Sequence, residues 1–328
     1  MASSRPVPNP RQEHSTVAIN ETLLAVVGGV APAANGPDTT DLVQLYDIPS
    51  NSWRTGSPIP IKLNHPNVAV VNGKMYVLGG LENGPNIAGE PINWIATGRT
   101  FVYDASLDSW KELNAMPSGT ARGSAVTGVH GEMIYVAGGM TVLRQPYQDS
   151  VTLTTAFNTS SGEWQRLPPA AANIPDGRQH ATGSVVGDTL YVIGGRWFSQ
   201  RAVRGTVFSL DLNNQTAGWR TDPNLMPVAR GGLSGDAVGS KFYTFGGEGN
   251  PNGLTGVFND TAVFDTASRT WSRLAPMAIP RHGMHAVAVG NNIYIPGGGL
   301  QQDGKAVTVN GTTRFANTTA YFDAYCAS

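Results

Sequence analysis

Residues 178–195 read RQHATGSVVGDTLYVIGG. A basic residue opens the stretch, and small and β-branched residues follow. Val186-Gly187-Asp188 then supplies turn chemistry, and Leu190–Ile193 runs into a glycine pair. Two short apolar runs about such a turn predict an antiparallel hairpin. The same wording recurs along the 328 residues. Apolar runs end in Gly-Gly at Gly29, Gly80, Gly139, Gly195, Gly247 and Gly298, spaced 51, 59, 56, 52 and 51 residues apart. Each is preceded by a basic residue (Arg11, Lys62, Arg122, Arg178, Arg230, Arg281). Each is followed by an aromatic or apolar residue with Asp or Asn: Tyr46-Asp47, Tyr103-Asp104, Phe157-Asn158, Leu210-Asp211, Phe264-Asp265 and Phe322-Asp323. A tryptophan comes six to eight residues later in five units: Trp53, Trp110, Trp164, Trp219 and Trp271.

A repeat of about 50 residues with these marks resembles the kelch repeat, whose unit is one four-stranded propeller blade. The resemblance covers nearly the whole chain. It implies an all-β, six-bladed β-propeller with four antiparallel strands per blade, built as a single domain over residues 1–328. The Trp of each outer strand is expected to fill the wedge between blades. So are Tyr76, Tyr135, Tyr191, Tyr243 and Tyr294, each three before a glycine pair. The sixth unit ends before its Trp position, so its outer strand must come from elsewhere. Residues 2–8 stand at the matching offset and are expected to pair with the strand near Tyr321–Asp323, closing the ring and removing the free sheet edges.

Composition narrows the function classes. A net charge of −1 argues against general nucleic-acid binding. No run of 18 apolar residues exists, so no membrane helix is expected. The single cysteine, Cys326, excludes an intrachain disulfide framework and a Cys-based metal site. Sequons at Asn20, Asn158, Asn214, Asn259, Asn310 and Asn317 exceed the roughly three that chance placement gives. They favour a glycosylated eukaryotic protein, of the secretory lumen or secreted. The opening MASSRPVPNP lacks an apolar signal region.

With strands a to d counted from hub to rim, the long b–c loops and the d–a connections share one face. The short turns share the other, where Asn20, Asn158 and Asn214 fall. Function is expected on the long-loop face. The six basic residues stand at the start of strand a and predict a cationic ring around the channel mouth, suited to an anionic or acidic ligand. Counting 14 residues back from the first glycine of each pair brings His14, His65, Ser124 and His180 to the channel wall, with Gly232 and Gly283 in the last two units. His285 comes two residues further in, and His282 sits beside the row. The loops add Trp94, Tyr147, Trp197 and Phe198, together with Phe258 and Phe315.

Kelch propellers also include copper radical oxidases, but the terminal Cys326 does not fit their Cys–Tyr cross-link. Motifs of the HExxH and CxxC kind are absent, and His282 and His285 point to opposite faces of a strand. No metal and no cofactor are therefore expected. In general build the chain is similar to fungal kelch-like enzymes of natural-product pathways, including hetero-Diels–Alderases of tropolone sesquiterpenoid biosynthesis. That resemblance implies a cofactor-free enzyme, a cyclase acting without redox chemistry on a small acidic, phenolic or terpenoid substrate. His14, His65, His180 and His285 would act as acids and bases, with Arg178 and Arg281 as catalytic cations. Arg11, Lys62, Arg122, Arg230, Trp94, Trp197, Phe198, Tyr147, His282 and Ser124 would bind the substrate. The other reading is a secreted binding module for an acidic peptide or glycan. On the enzyme reading, Arg178→Ala and Arg281→Ala are expected to weaken ligand binding without unfolding.

Overall fold

The computed structural model describes residues 2–33, 36–90, 92–144, 147–302, 307–309, 312–314 and 317–327. Six antiparallel sheets form the blades of a propeller, each ordered a-b-c-d from the hub outward. In the first blade these are Ser15–Asn20, Leu23–Val27, Val43–Asp47 and Ser52–Gly56. Strand b is buried on both faces, so it reads as the unbroken apolar run that precedes each glycine pair. Strand c ends on an acidic or amide residue that starts the c–d turn. Asp47 accepts from the Ser50 N–H at 2.9 Å, and Asp265 accepts from the Ala267 N–H at 2.9 Å.

The tryptophans hold neighbouring blades together. Trp53, Trp110, Trp164, Trp219 and Trp271 donate their indole N–H groups to the backbone carbonyls of Arg5, Ser57, Asn114, Ala171 and Asn224, at 2.9–3.2 Å. Each acceptor lies on the outer strand of the preceding blade or just beyond it. The tyrosines before the glycine pairs pack into the same seams, as Tyr76 does against Phe157 and Tyr191 against Phe264. The second glycine of a pair crosses the seam as well. Gly139, Gly195, Gly247 and Gly298 donate to the carbonyls of Arg178, Arg230, Arg281 and Arg11 in the next blade, at 2.7–2.9 Å. A Cβ at Gly246, the first of its pair, would lie 2.3 Å from the Arg281 oxygen, and its φ is +55°. Only glycine satisfies both conditions.

The sixth blade is closed by the chain's beginning. Ala2 pairs with Ala324 and Ser3 with Asp323, and the Ser4 and Val7 N–H groups bond the Phe322 and Ala320 carbonyls. Val7 is buried with Tyr46, Tyr294 and Phe322 in the seam between the sixth and first blades, where Trp53 also packs. Deleting residues 1–8 removes this strand, Val7 and the acceptor of Trp53. Val7 alone contributes about 1.5–3 kcal/mol. The expected result is a melting temperature lowered by roughly 5–10 °C. An unchanged melting curve would show that closure by the N-terminal strand adds nothing to stability.

Candidate functional site

The hub is a circle of six hydrogen bonds, five of them between backbone groups. Glu13, His65, Ser124, His180, Gly232 and Gly283 each open strand a of one blade, and all six have φ between 48° and 58°. The N–H of His65 donates to Glu13, that of Ser124 to His65, that of Gly232 to His180, that of Gly283 to Gly232 and that of Glu13 to Gly283, at 2.6–3.0 Å. The sixth link runs from the His180 N–H to the Ser124 hydroxyl, at 3.0 Å. This circle brings together His65, Ser124 and His180, three of the residues singled out from the sequence. The fourth side chain is Glu13, where counting back from the glycines points to His14. Strand a of the first blade carries a bulge between Ala18 and Asn20, and the extra residue moves the count by one. Counting two forward from Arg11, Arg122, Arg178, Arg230 and Arg281 finds the circle without error.

Three ionisable side chains of the circle converge. His65 Nε2 lies 3.0 Å from a Glu13 carboxylate oxygen and 2.9 Å from His180 Nε2, and His180 Nε2 lies 3.7 Å from that same oxygen. Behind them stand His282, 3.5 Å from Glu13, and the buried Arg196–Glu248 ion pair. All are almost fully buried. Burial alone would raise the Glu13 pKa, but the charge and hydrogen bond of His65, the largest lowering influence, hold it well below the ordinary carboxyl range. His180 is held well below the ordinary histidine value by burial first, then by Arg196 and His65. The cluster thus pairs a carboxylate that stays ionised with an imidazole that stays neutral.

A cavity of about 70 Å³ borders the circle, lined by Glu13, His65, Ser124 and His180 and by His14, Asn67, Thr182 and His285 along the a strands. His285 Nδ1 lies 2.9 Å from the Thr16 carbonyl of the neighbouring blade. Burial pulls His14 down to about 3 and lowers His285 as well. His14, His180 and His285 therefore stay neutral in the fold but take up protons when unfolded below their ordinary 6.5. The stability they confer is complete above that value and is lost as pH falls toward the folded values. Each contributes a slope of up to about 1.4 kcal/mol per pH unit. Glu13 adds a loss of the same sign below its ordinary 4.5, and Asp236, raised by burial, works in the opposite sense. Denaturant unfolding at pH 7 and pH 5 is expected to show several kcal/mol less stability at pH 5. Equal midpoints and slopes would mean that these imidazoles are charged in the fold.

The expected cationic lip is not there. Arg11, Arg122, Arg178, Arg230 and Arg281 are at most 1% exposed and turn into their own blades. Arg11 donates to the Val26 carbonyl at 2.8 Å, and Arg230 donates to Gly246 at 2.6 Å and Asp260 at 2.7 Å. Arg178 bonds Asp176 and the Thr206 hydroxyl, and Arg281 bonds the Tyr321 carbonyl and Asp323. These guanidiniums satisfy carbonyls and hydroxyls of strands b and c or the loops before them, which explains a cation at strand a without any ligand. Lys62 is not part of the row. It is exposed and paired with Asp38 at 3.1 Å, and the buried Leu63 takes the arginine position.

The long-loop side of the hub is covered: Gln12, Asn64, Gln179 and His282 are all buried. Strands b and c of the second blade, Lys74–Asn83 and Asn93–Asp104, extend beyond it as a hairpin, and Val142–Arg144 of the third blade pairs with its edge. Trp94 is buried there among Val30, Leu81, Met140 and Leu143, so loop packing accounts for it. Trp197, Phe198 and Tyr147 are exposed, with Arg204 over the Trp197 ring; Phe258 is buried. Among the sequons, Asn20 and Asn214 are exposed and Asn158, Asn259 and Asn317 are partly exposed, while Asn310, like Phe315, lies outside the described residues.

These features define a propeller with a polar, ionisable hub. The chain matches the KLHDC2/KLHL20/DRC7 Kelch-repeats domain over residues 1–195 and again over 145–324. It belongs to the kelch-repeat family. It is 39% identical over 295 residues to Kelch-like protein terF of Aspergillus terreus, covering 89% of this chain and 61% of that protein. It is 23% identical over 239 residues to Beta-scruin of Limulus polyphemus, covering 72% of this chain and 24% of that protein. It is 28% identical over 176 residues to human Kelch repeat and BTB domain-containing protein 12, covering 52% and 28%. The chain therefore spans about three fifths or less of the length of these curated relatives.

Proposed function

We propose that the chain is an enzyme that moves protons on a small acidic or phenolic molecule at the hub, and that the reaction is a non-redox elimination leading to cyclisation. The observation that carries this reading is the convergence of Glu13, His65 and His180 on one cavity, with the carboxylate held ionised and His180 held neutral. Both groups are shifted downward, which leaves the Glu13 carboxylate charged and the His180 imidazole uncharged and free to accept a proton. The proton shared between Glu13 and His65 is the acid, and His180 Nε2 is the base. On an ortho-hydroxybenzyl alcohol, His180 takes the phenol proton and the benzylic C–O bond breaks. The departing hydroxyl takes the proton from His65 and leaves as water, and the phenolate electrons form the exocyclic double bond. The proton on His180 returns to His65 across 2.9 Å, and the quinone methide adds to an olefin. The cavity of about 70 Å³ is about half the size of one that holds a benzene ring, so the phenolic partner and the olefin would both lie largely outside it, with only the reacting groups reaching the cluster.

The test is incubation of the purified chain with an ortho-hydroxybenzyl alcohol and an electron-rich olefin, followed by chiral chromatography. An enantioenriched adduct formed faster than background is expected. A racemic adduct at the background rate would overturn the reading. One observation favours a second reading, a glycan-binding module: the exposed Trp197, Phe198 and Tyr147 on the long-loop face. Glycan binding abolished by Trp197→Ala, in a chain without turnover, would support it.

A further inference from the structure

The three groups that meet at the hub are all electron-pair donors facing one another. His65 Nδ1 lies 2.6 Å from Asn64 Oδ1. That amide is oriented by its own Nδ2, which donates to the Thr39 hydroxyl at 2.8 Å, and the hydroxyl donates in turn to Asn83. Asn64 Oδ1 is therefore an acceptor, and His65 carries its proton on Nδ1. His180 repeats the arrangement. Its Nδ1 contacts Gln179 Oε1, and the Gln179 Nε2 donates to Gln148 at 2.7 Å. Both imidazoles thus point Nε2 lone pairs at each other and at the Glu13 carboxylate. Three acceptors at such distances repel unless something positive sits among them.

We propose that Glu13, His65 and His180 bind a divalent transition-metal ion, with zinc the best match. The separations of 2.9, 3.0 and 3.7 Å bracket the edge of about 3.3 Å that a tetrahedron with bonds of about 2.0–2.1 Å has. Two imidazole nitrogens and one carboxylate are a donor set that zinc accepts, leaving a fourth position for water or substrate. Imidazole N–H groups held by amide oxygens are the outer support that such ligands carry. The three side chains also line the cavity, so the fourth position faces the space a small molecule would enter. The ion takes the place of the proton shared by the cluster, and its bound water becomes the group that gives and takes protons. The inference stands on the donor geometry and holds whether or not the chain turns over a substrate. It revises the sequence expectation of no metal, which rested on local spacing; these ligands come from three blades, and His65 and His180 are 115 residues apart.

The test uses the full chain, stripped with a chelator and dialysed, and titrated with zinc chloride and with cobalt chloride. One equivalent of either ion is expected to bind and to raise the melting temperature. Zinc binding is expected to release about one proton near neutral pH, read as a buffer-dependent heat. Cobalt should show the strong visible bands of a four-coordinate site and be displaced by zinc. His180→Ala and Glu13→Gln should each lose at least 10-fold in affinity, whereas His130→Asn, at an exposed histidine paired with Asp188, should bind as the parent does. X-ray absorption on the zinc-loaded parent keeps the test independent of whether the variants fold. Two imidazole nitrogens and a carboxylate oxygen are expected around the ion. No stoichiometric binding, a sulfur or all-oxygen shell, or equal affinity in a folded His180→Ala variant would each overturn the proposal.

Discussion

Arg122→Ala is expected to cost about 3–5 kcal/mol of stability, and Arg230→Ala about as much, whatever ligand is present. Arg122 donates to the Thr120 carbonyl at 2.6 Å, the Val136 carbonyl at 2.8 Å and the Thr155 hydroxyl at 2.9 Å. Truncation leaves those acceptors without a donor in a place that water does not reach, and leaves a cavity the size of the side chain. Burial works against the charge of this guanidinium, so its bonds must offset a desolvation cost as well as tie the blade together. Thermal and denaturant unfolding check this. A variant that melts like the parent but binds ligand more weakly would restore the arginines to a channel lip, contrary to their burial.

Glu13→Gln is expected to lower the rate of the proposed reaction by about 10²–10⁴-fold while the protein stays folded. Glutamine keeps the shape and leaves the backbone bonds of Glu13 to Gly283 and His65 in place. It removes the charge that holds the shared proton on His65. The decisive reading is kcat per folded molecule. An unchanged kcat with a lower melting temperature would make Glu13 a structural residue only. The circle also limits what else fits there. A Cβ at Gly283 would lie 2.5 Å from Glu13 Oε1, so the glycines at the fifth and sixth positions make room for the carboxylate cluster.

The blade architecture was legible because it is written six times: glycine pairs, turn acids and seam tryptophans are local in sequence, and each has one physical purpose. Ring closure followed from counting, since the sixth unit lacks an outer strand and a free edge has to be covered. The site was legible only in part. His65 and His180 were found because their offsets from the glycine pairs match. Glu13 was hidden by a single bulge, and Glu248 and Arg196 by their place just after glycine pairs, where nothing in the spelling distinguishes hub from loop. The arginine row was read correctly as a row and wrongly as a lip. A cation at a strand start looks the same in sequence whether it faces solvent or its own blade, and only three-dimensional burial separates the two. Lys62 shows how a charge of the right sign can fill the pattern while the buried Leu63 fills the position. Trp94 looked surplus to the blades because pairing between the second and third loops has no signature within either loop.

The most direct test of the hub is the protonation of its imidazoles. With six histidines in the chain, selective ¹⁵N labelling and long-range ¹H–¹⁵N spectra of the metal-free protein can assign each ring. His65 and His180 are expected both to carry a proton on Nδ1, with no more than one further proton shared by their Nε2 atoms near neutral pH. Two neutral rings protonated on Nε2 instead, or two full imidazolium ions, would contradict the convergence of lone pairs on which both the proton transfer and the metal site depend.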